Sequence, residues 1–359
     1  MIPLPVNLVC PRCRREGGHS RSSIVVLEPD DSVAGDQRGD ICPGCGSIYP
    51  RVEGVHCIPP DLEAFRQTQA DVLDQGWKGS GATREIAAGA CSDFGRLAPG
   101  SDAFREAFLP GSYAAAHFPE GIEFEALRSE LACNLEWFAL IRKWLEAHQP
   151  PAGSTVECAL DVGCGPGRLL HVLAPFQPNG CLGFDLRLSM LRMGRRLAGG
   201  GEIFVPFRVE GSRFIPLRFS NPMPRDSAPF HFVQGDIVSP PFEAEVFPIV
   251  SAVSLLDTVS DPLFVLGQLD ALVCRGGLLL LAAPYHWEPG VTSPESWLST
   301  ADRSAGEIIR LALSGRHPCL PHLDYELLEE EPLMPWALPS HGRLVHRFFL
   351  DAILARKRN

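Results

Sequence analysis

The chain has 359 residues, 45% of them hydrophobic and 21% charged, with a formal net charge of −11. That length suits two domains, or one with additions. No apolar run approaches a membrane span, and the acidic total argues against a surface that wraps nucleic acid, although a local basic patch stays open. Met1–Val9 has neither a basic start nor a long apolar core, so the expected setting is cytoplasmic. There, twelve cysteines read as reduced thiols and a metal site rather than a disulfide framework.

Residues 1–60 read as a unit. Cys10-Pro-Arg-Cys13 and Cys42-Pro-Gly-Cys45 are two C-x-x-C knuckles. One knuckle presents two thiolates to an ion, and two complete a tetrahedral four-cysteine site of the zinc type. With four thiolates no coordination position is open, so the metal would be structural. Ser23–Glu28 is predicted as a strand and 29–40 as a polar loop. After the second knuckle comes Tyr49-Pro50, with Gly54 four residues on. This layout resembles the small zinc-binding domain that activates several tRNA and release-factor methyltransferases, and the resemblance implies a zinc ribbon. Its arginines are offset by acids, apart from a cluster at Arg12–Arg15. A protein partner or a stabilising role is therefore expected of the ribbon ahead of RNA binding.

Residues 61–150 are predicted mostly helical: a segment capped by Asp61 and running to about Gln75, a break at 76–81, a segment at 101–108, and then Pro110–Pro119. The apolar positions Phe124, Leu127, Leu131, Leu135, Phe138, Ile141, Trp144 and Leu145 mark one amphipathic helix over 122–148. Tyr113 and His117 are candidate substrate contacts if this section folds over a ligand as a lid. Plain helix packing is the alternative for each.

Residues 156–168 carry the main signal. An apolar run ends at Asp161, and Gly163, Gly165 and Gly167 follow, then a helix-like stretch from Arg168. A buried strand, a tight glycine turn and a helix start bring ligand and backbone close together, with free N–H groups at the helix end. Cys181–Asp185 is a second short strand ending in an acid, followed by Leu186. A carboxylate at that strand end suits the hydroxyls of a ribose. Leu188–Leu197 reads as a helix and 199–230 as an irregular insertion. His231-Phe-Val-Gln-Gly-Asp236-Ile237 is a third strand ending in an acid.

The fourth strand is predicted at Ile249–Ser254, followed by Asp257. Asp261-Pro262 then starts a helix, which stops at Gly276-Gly277 before a fifth strand, Leu278–Ala283. Tyr285-His286-Trp287 follows. Val345–Leu354 is expected to form an antiparallel last strand. In a doubly wound sheet, ligands sit beyond the carboxyl ends of the strands, at the point where strand order reverses. Asp257, Tyr285 and His286 would then face the acceptor, with His286 able to take a proton. Loop structure is the alternative for all three.

The D-x-G-x-G-x-G form at Asp161–Gly167, with Asp185 and Asp236 at the next strand ends, resembles class I S-adenosylmethionine (SAM) methyltransferases. The resemblance implies an α/β fold: a doubly wound, seven-stranded Rossmann-like sheet spanning 151–359, preceded by the 1–60 zinc ribbon and a 61–150 helical lid. It assigns Asp161, Gly163, Gly165 and Gly167 to the methionine and ribose portion of SAM. Asp185, with Leu186, would hold the ribose, and Asp236 with Ile237 the adenine. Leu256-Asp257, Ser260-Asp261-Pro262, Ala283–Trp287 and Ser296–Leu298 are also similar to the mercaptohistidine methyltransferase domain of ovothiol-synthesising enzymes. More loosely, Leu256-Asp257-Thr258 and Pro284-Tyr285-His286 are similar to carnosine N-methyltransferases. The attached zinc domain and the 199–230 insertion depart from that pattern. The expectation is a SAM-dependent methyltransferase for nitrogen or sulfur of a small acceptor, an imidazole or thiol-histidine among them. The alternatives are a zinc-containing RNA methyltransferase and a non-catalytic partner protein with the same fold.

Overall fold

The structure, a computed structural model, describes residues 4–16, 26–30, 39–67, 84–98, 102–151, 156–200, 202–221, 229–288 and 290–358. The predicted break at 76–81, the end of the segment capped by Asp61, and most of the Ser23–Glu28 strand lie outside the described residues. At the segment's start, Asp61 does accept from the Ala64 amide.

At the centre are five parallel strands in the order β9 (Phe230–Gln234), β6 (Cys181–Asp185), β5 (Ala159–Val162), β10 (Phe247–Val253) and β11 (Val273–Ala283). Their residues are apolar on both faces, as strands covered on both sides must be. β13 (Leu344–Lys357) runs antiparallel to β11, and β12 (Tyr325–His341) antiparallel to β13. The last strand therefore has the expected direction, but sequence reading missed the long β12 beside it. Asp261 caps the Pro262–Leu272 helix by accepting from the Phe264 amide at 3.0 Å, and proline fills its first position as anticipated.

The sheet is larger than expected. β1 (Glu28–Asp30), β2 (Gly39–Ile41), β3 (Ile48–Val52) and β4 (Val55–Cys57) extend it, so that it has eleven strands among the described residues. β4 pairs in parallel with β9, His56 opposite Val233 and Cys57 opposite Gln234. The N-terminal segment is thus not a bead on a tether. Val6, Leu8, Cys10, Cys42 and Tyr49 share one apolar core with Leu160, Phe184 and Phe242. Glu53 pairs with Arg192 and Arg196 of the Leu188–Ala198 helix.

Two helical expectations change. The stretch at 122–148 is two helices, Glu125–Glu130 and Cys133–Ala147, with a turn at Leu131–Ala132. Conversely, Asp102–His117 is one helix running through Pro110. The 199–230 insertion is not irregular where described: β7 (Glu202–Glu210) and β8 (Arg213–Ser220) form an antiparallel hairpin. Phe207, Leu217 and Phe219 of the hairpin share a core with Ala114, Ala115 and Phe118. Gly111 permits the contact, since a Cβ there would lie 2.5 Å from the Pro206 carbonyl oxygen. The hairpin therefore fixes the helix that carries Tyr113 and His117. No described helix is long and apolar enough to cross a membrane.

Candidate active site

The glycine bend after β5 is built as its residue types require. Gly163, Gly165 and Gly167 all have positive φ, at 71°, 52° and 83°, where side chains other than glycine's are strained. The Gly163 and Cys164 amides both donate to the Phe184 carbonyl, at 2.8 and 3.2 Å. The Gly165 amide donates to Asp185 Oδ2 at 2.9 Å, while Oδ1 accepts from the Arg187 amide at 2.8 Å. The Asp185 carboxylate thus ties the bend to the end of β6. Burial still holds its pKa above the usual range, ahead of the lowering effect of these amides.

Asp161 is 2% exposed, and the Ser251 hydroxyl donates to its Oδ1 at 2.7 Å. Burial pushes its pKa up to about 7, opposed by Ser251 and reinforced by Asp185. A folded-state pKa above the unfolded value means that stability is lost as pH rises from about 4 through about 7. Asp161→Asn keeps an acceptor for Ser251 and removes the charge. It should stabilise the fold by roughly 3–4 kcal/mol at pH 8 and by less than half as much at pH 5. Thermal melts at the two pH values test this, and an equal shift at both would contradict it.

At the end of β9, Asp236 Oδ1 accepts from the Val238 amide at 3.0 Å. The Gln234 side chain donates to the Leu186 carbonyl at 3.0 Å, joining the β6 and β9 ends. Ile237 is only 6% exposed and belongs to the core, whereas Leu186 is 60% exposed. Of the two apolar residues expected beside a ligand, Leu186 is the one with a free face.

The opposite wall follows β10 and β11. Asp257 is 2% exposed; its Oδ2 accepts from the His286 amide at 2.9 Å, and Oδ1 is buried with no partner among the described residues. Burial raises its pKa, with the His286 amide opposing. Ser254, Tyr285 and Trp287 are all non-glycine residues with φ near +50°. Such backbone costs of order 1–2 kcal/mol each and persists only where the surroundings enforce it.

Tyr285 is held by distant elements. Its hydroxyl donates to Asp351 Oδ2 at 2.9 Å, and Arg310 holds that carboxylate with two bonds of 2.9 and 2.8 Å. The hydrogen bond ties the loop to β13. His286 is exposed, its ring edge-on to Phe348 at 5.8 Å.

Tyr113 and His117 do come to the site. A Cβ built on Gly165 would have His117 ring atoms at 3.5 Å and Tyr113 at 3.7 Å. Burial first, and the field of Asp185, Asp257 and Glu288 after it, push the Tyr113 pKa up to about 12. The His117 ring packs edge-on against Trp336 at 5.7 Å. Trp336 and Phe348 face each other in the β12–β13 pairing. They add an aromatic wall that sequence reading missed, because nothing in their spacing says that the ribbon turns toward the glycine bend.

Away from this cleft, the Sγ atoms of Cys10, Cys13, Cys42 and Cys45 all lie within 4.8 Å of one another. Cys10 and Cys45 are 3.7 Å apart, and Cys13 and Cys42 are 3.6 Å apart. Four thiolates about 2.3 Å from one ion would have edges of about 3.8 Å, so the donor set fits a tetrahedral metal. The Tyr49 hydroxyl lies 3.3 Å from Cys10 Sγ, the outer-shell contact that such ligands usually have.

Acids at successive parallel-strand ends and a glycine bend of positive-φ residues are thus gathered at one end of the sheet. Residues 133–345 match the family model described as "Methyltransferase domain", and the chain belongs to that family. No curated protein matches it. Among solved structures it is similar to the YcgJ protein of Bacillus subtilis, at 14% identity over 62% of this chain and 98% of that one, with a TM-score of 0.37. It is also similar to magnesium protoporphyrin IX methyltransferase of Synechocystis PCC 6803 with bound SAM, at 12% identity, 64% and 83% coverage, and a TM-score of 0.38. A chain of the Haloferax volcanii complex containing the Trm112 methyltransferase activator matches at 14% identity, 66% and 99% coverage, and a TM-score of 0.37. Likeness of this degree says nothing about substrate or partner.

Proposed function

We propose that the protein is a SAM-dependent methyltransferase acting on a nitrogen or sulfur of a small molecule, with imidazoles and thiol-histidines the leading acceptors. The observation that carries this reading is that Asp161, Asp185 and Asp236 lie at the ends of neighbouring strands beside the Gly163–Gly167 bend, with Tyr113 in the field of both Asp185 and Asp257. SAM supplies a methyl group on a cationic sulfur. Asp161 and the glycines would hold the methionine and ribose portion, Asp185 the ribose hydroxyls beside Leu186, and Asp236 the adenine amine near Ile237. Asp257 Oδ1 would accept a hydrogen bond, and finally the proton, from the acceptor nitrogen or thiol. His286 would border the acceptor, and Tyr285 would hold the loop. Alignment would supply most of the rate.

Cys10, Cys13, Cys42 and Cys45 would hold a structural Zn2+. In this reading the ribbon braces the sheet from within the same chain, through β4 against β9. Its outer face, where Ile48 is 45% exposed, would be the surface left for a protein partner. The test is transfer of labelled methyl from SAM to a panel of small imidazoles, thiols and RNA. Incorporation into an imidazole or thiol is expected. Labelling of RNA alone would overturn the choice of acceptor, and no labelling of any acceptor by a protein that binds SAM would favour a non-catalytic role.

A further inference from the structure

Three acids at the site, Asp161, Asp185 and Asp257, suit the cationic parts of a SAM-like ligand: its sulfonium and its ammonium. The amino-acid end of that ligand also carries a carboxylate, which needs donors. The donor groups at the bend are His117 and Arg168.

His117 closes the Asp102–His117 helix, and the Cε1–Nε2 edge of its ring lies over Gly165. Its Nδ1 is buried and has no hydrogen-bond partner among the described residues. Phe138 and Trp336 fix the plane of the ring, at 6.2 and 5.7 Å between centroids. Arg168 follows Gly167 directly and is 6% exposed. Its guanidinium lies between the rings of Phe118 and Phe138, at 5.5 and 5.2 Å, and pairs with Glu120 at 2.6 Å. Its Nε has no partner among the described residues. Those two atoms are enclosed by protein, whereas Nε2, on the ring edge over Gly165, is the nitrogen that a ligand at the bend can reach. Burial first, and the Arg168 charge second, drive the His117 pKa down to about 3. The ring is therefore neutral at physiological pH and can donate from one nitrogen, with the Arg168–Glu120 ion pair nearby.

We propose that His117 donates through Nε2, on the ring edge over Gly165, to the carboxylate at the amino-acid end of the cofactor. This rests on the SAM reading above and adds residues of the lid helix to it. Calorimetric titrations with S-adenosylhomocysteine and with 5′-methylthioadenosine, which has the same nucleoside and thioether but no amino acid, separate the two readings. His117→Phe keeps a flat ring and removes the donor. It should weaken S-adenosylhomocysteine at least tenfold and change methylthioadenosine less than twofold. His117→Gln, which restores a donor, should recover most of the loss, and this holds the test open if the phenylalanine variant folds poorly. Equal weakening of both ligands, or no change in either, would overturn the assignment to the carboxylate. Failure of the wild-type protein to bind either ligand would instead remove the SAM reading, and this inference with it.

Discussion

Replacing Cys42 and Cys45 together with serine should lower the affinity for S-adenosylhomocysteine at least tenfold and the melting temperature by roughly 10 °C. The cysteines lie outside the cleft, so the effect must travel through backbone, and the route is short. The four-cysteine cluster fixes β2 and β3, β3 pairs with β4, and β4 pairs with β9. The Ile58 amide donates to the Gln234 carbonyl at 2.8 Å, one residue before Gly235-Asp236, and the Gly235 amide donates to the Asp185 carbonyl at 3.1 Å. Arg14, inside the first knuckle's helix, donates to the Pro240 and Phe242 carbonyls just beyond Ile237. The segment assigned to the adenine is thus held on one side by the N-terminal segment. Melting curves and ligand titrations of the variant test this. A fall in melting temperature with affinity unchanged would make the ribbon an appended module and nothing more.

Asp257→Asn should cut turnover of the acceptor found in the labelling screen by roughly 10²–10³-fold while leaving S-adenosylhomocysteine affinity within about threefold. The substitution is isosteric. The amide oxygen can still accept from the His286 amide, as Oδ2 does at 2.9 Å, so the strained Tyr285–Trp287 backbone keeps its anchor. What changes is Oδ1, buried and without a partner, where an acceptor of a proton would become a donor. Burial raises the Asp257 pKa. In the wild-type protein, activity that needs the ionised carboxylate should therefore fall as pH drops through that raised pKa, and the asparagine variant should lack this limb. Steady-state kinetics across pH, beside a binding titration, decide the matter. Equal losses in turnover and cofactor affinity would mean that Asp257 only supports the fold.

Much of the central sheet could be read from residues. Asp161, Asp185 and Asp236 each end or follow a short apolar run, and a strand buried on both faces has that simple signature. The glycine bend was legible because three positive-φ positions leave little choice of residue. The four-cysteine group was legible because its ligands come in pairs along the chain. Long-range placement was not legible. Nothing in Val55–Cys57 says that it pairs with Phe230–Gln234, more than 170 residues later. The 202–220 hairpin hides its alternation behind Pro206 and Pro216, which lie opposite each other across the pairing. Tyr285 shows the same limit at the site. Its position after β11 was foreseen, but its hydroxyl is held by Asp351 and Arg310 from distant elements, and no local pattern marks that.

Titration of the wild-type protein with S-adenosylhomocysteine tests the account most directly. It should show one saturable site per chain, lost or weakened at least tenfold in Asp185→Ala, whose carboxylate joins the glycine bend to the end of β6. A folded, metal-loaded protein that gives no binding at any usable concentration would contradict it.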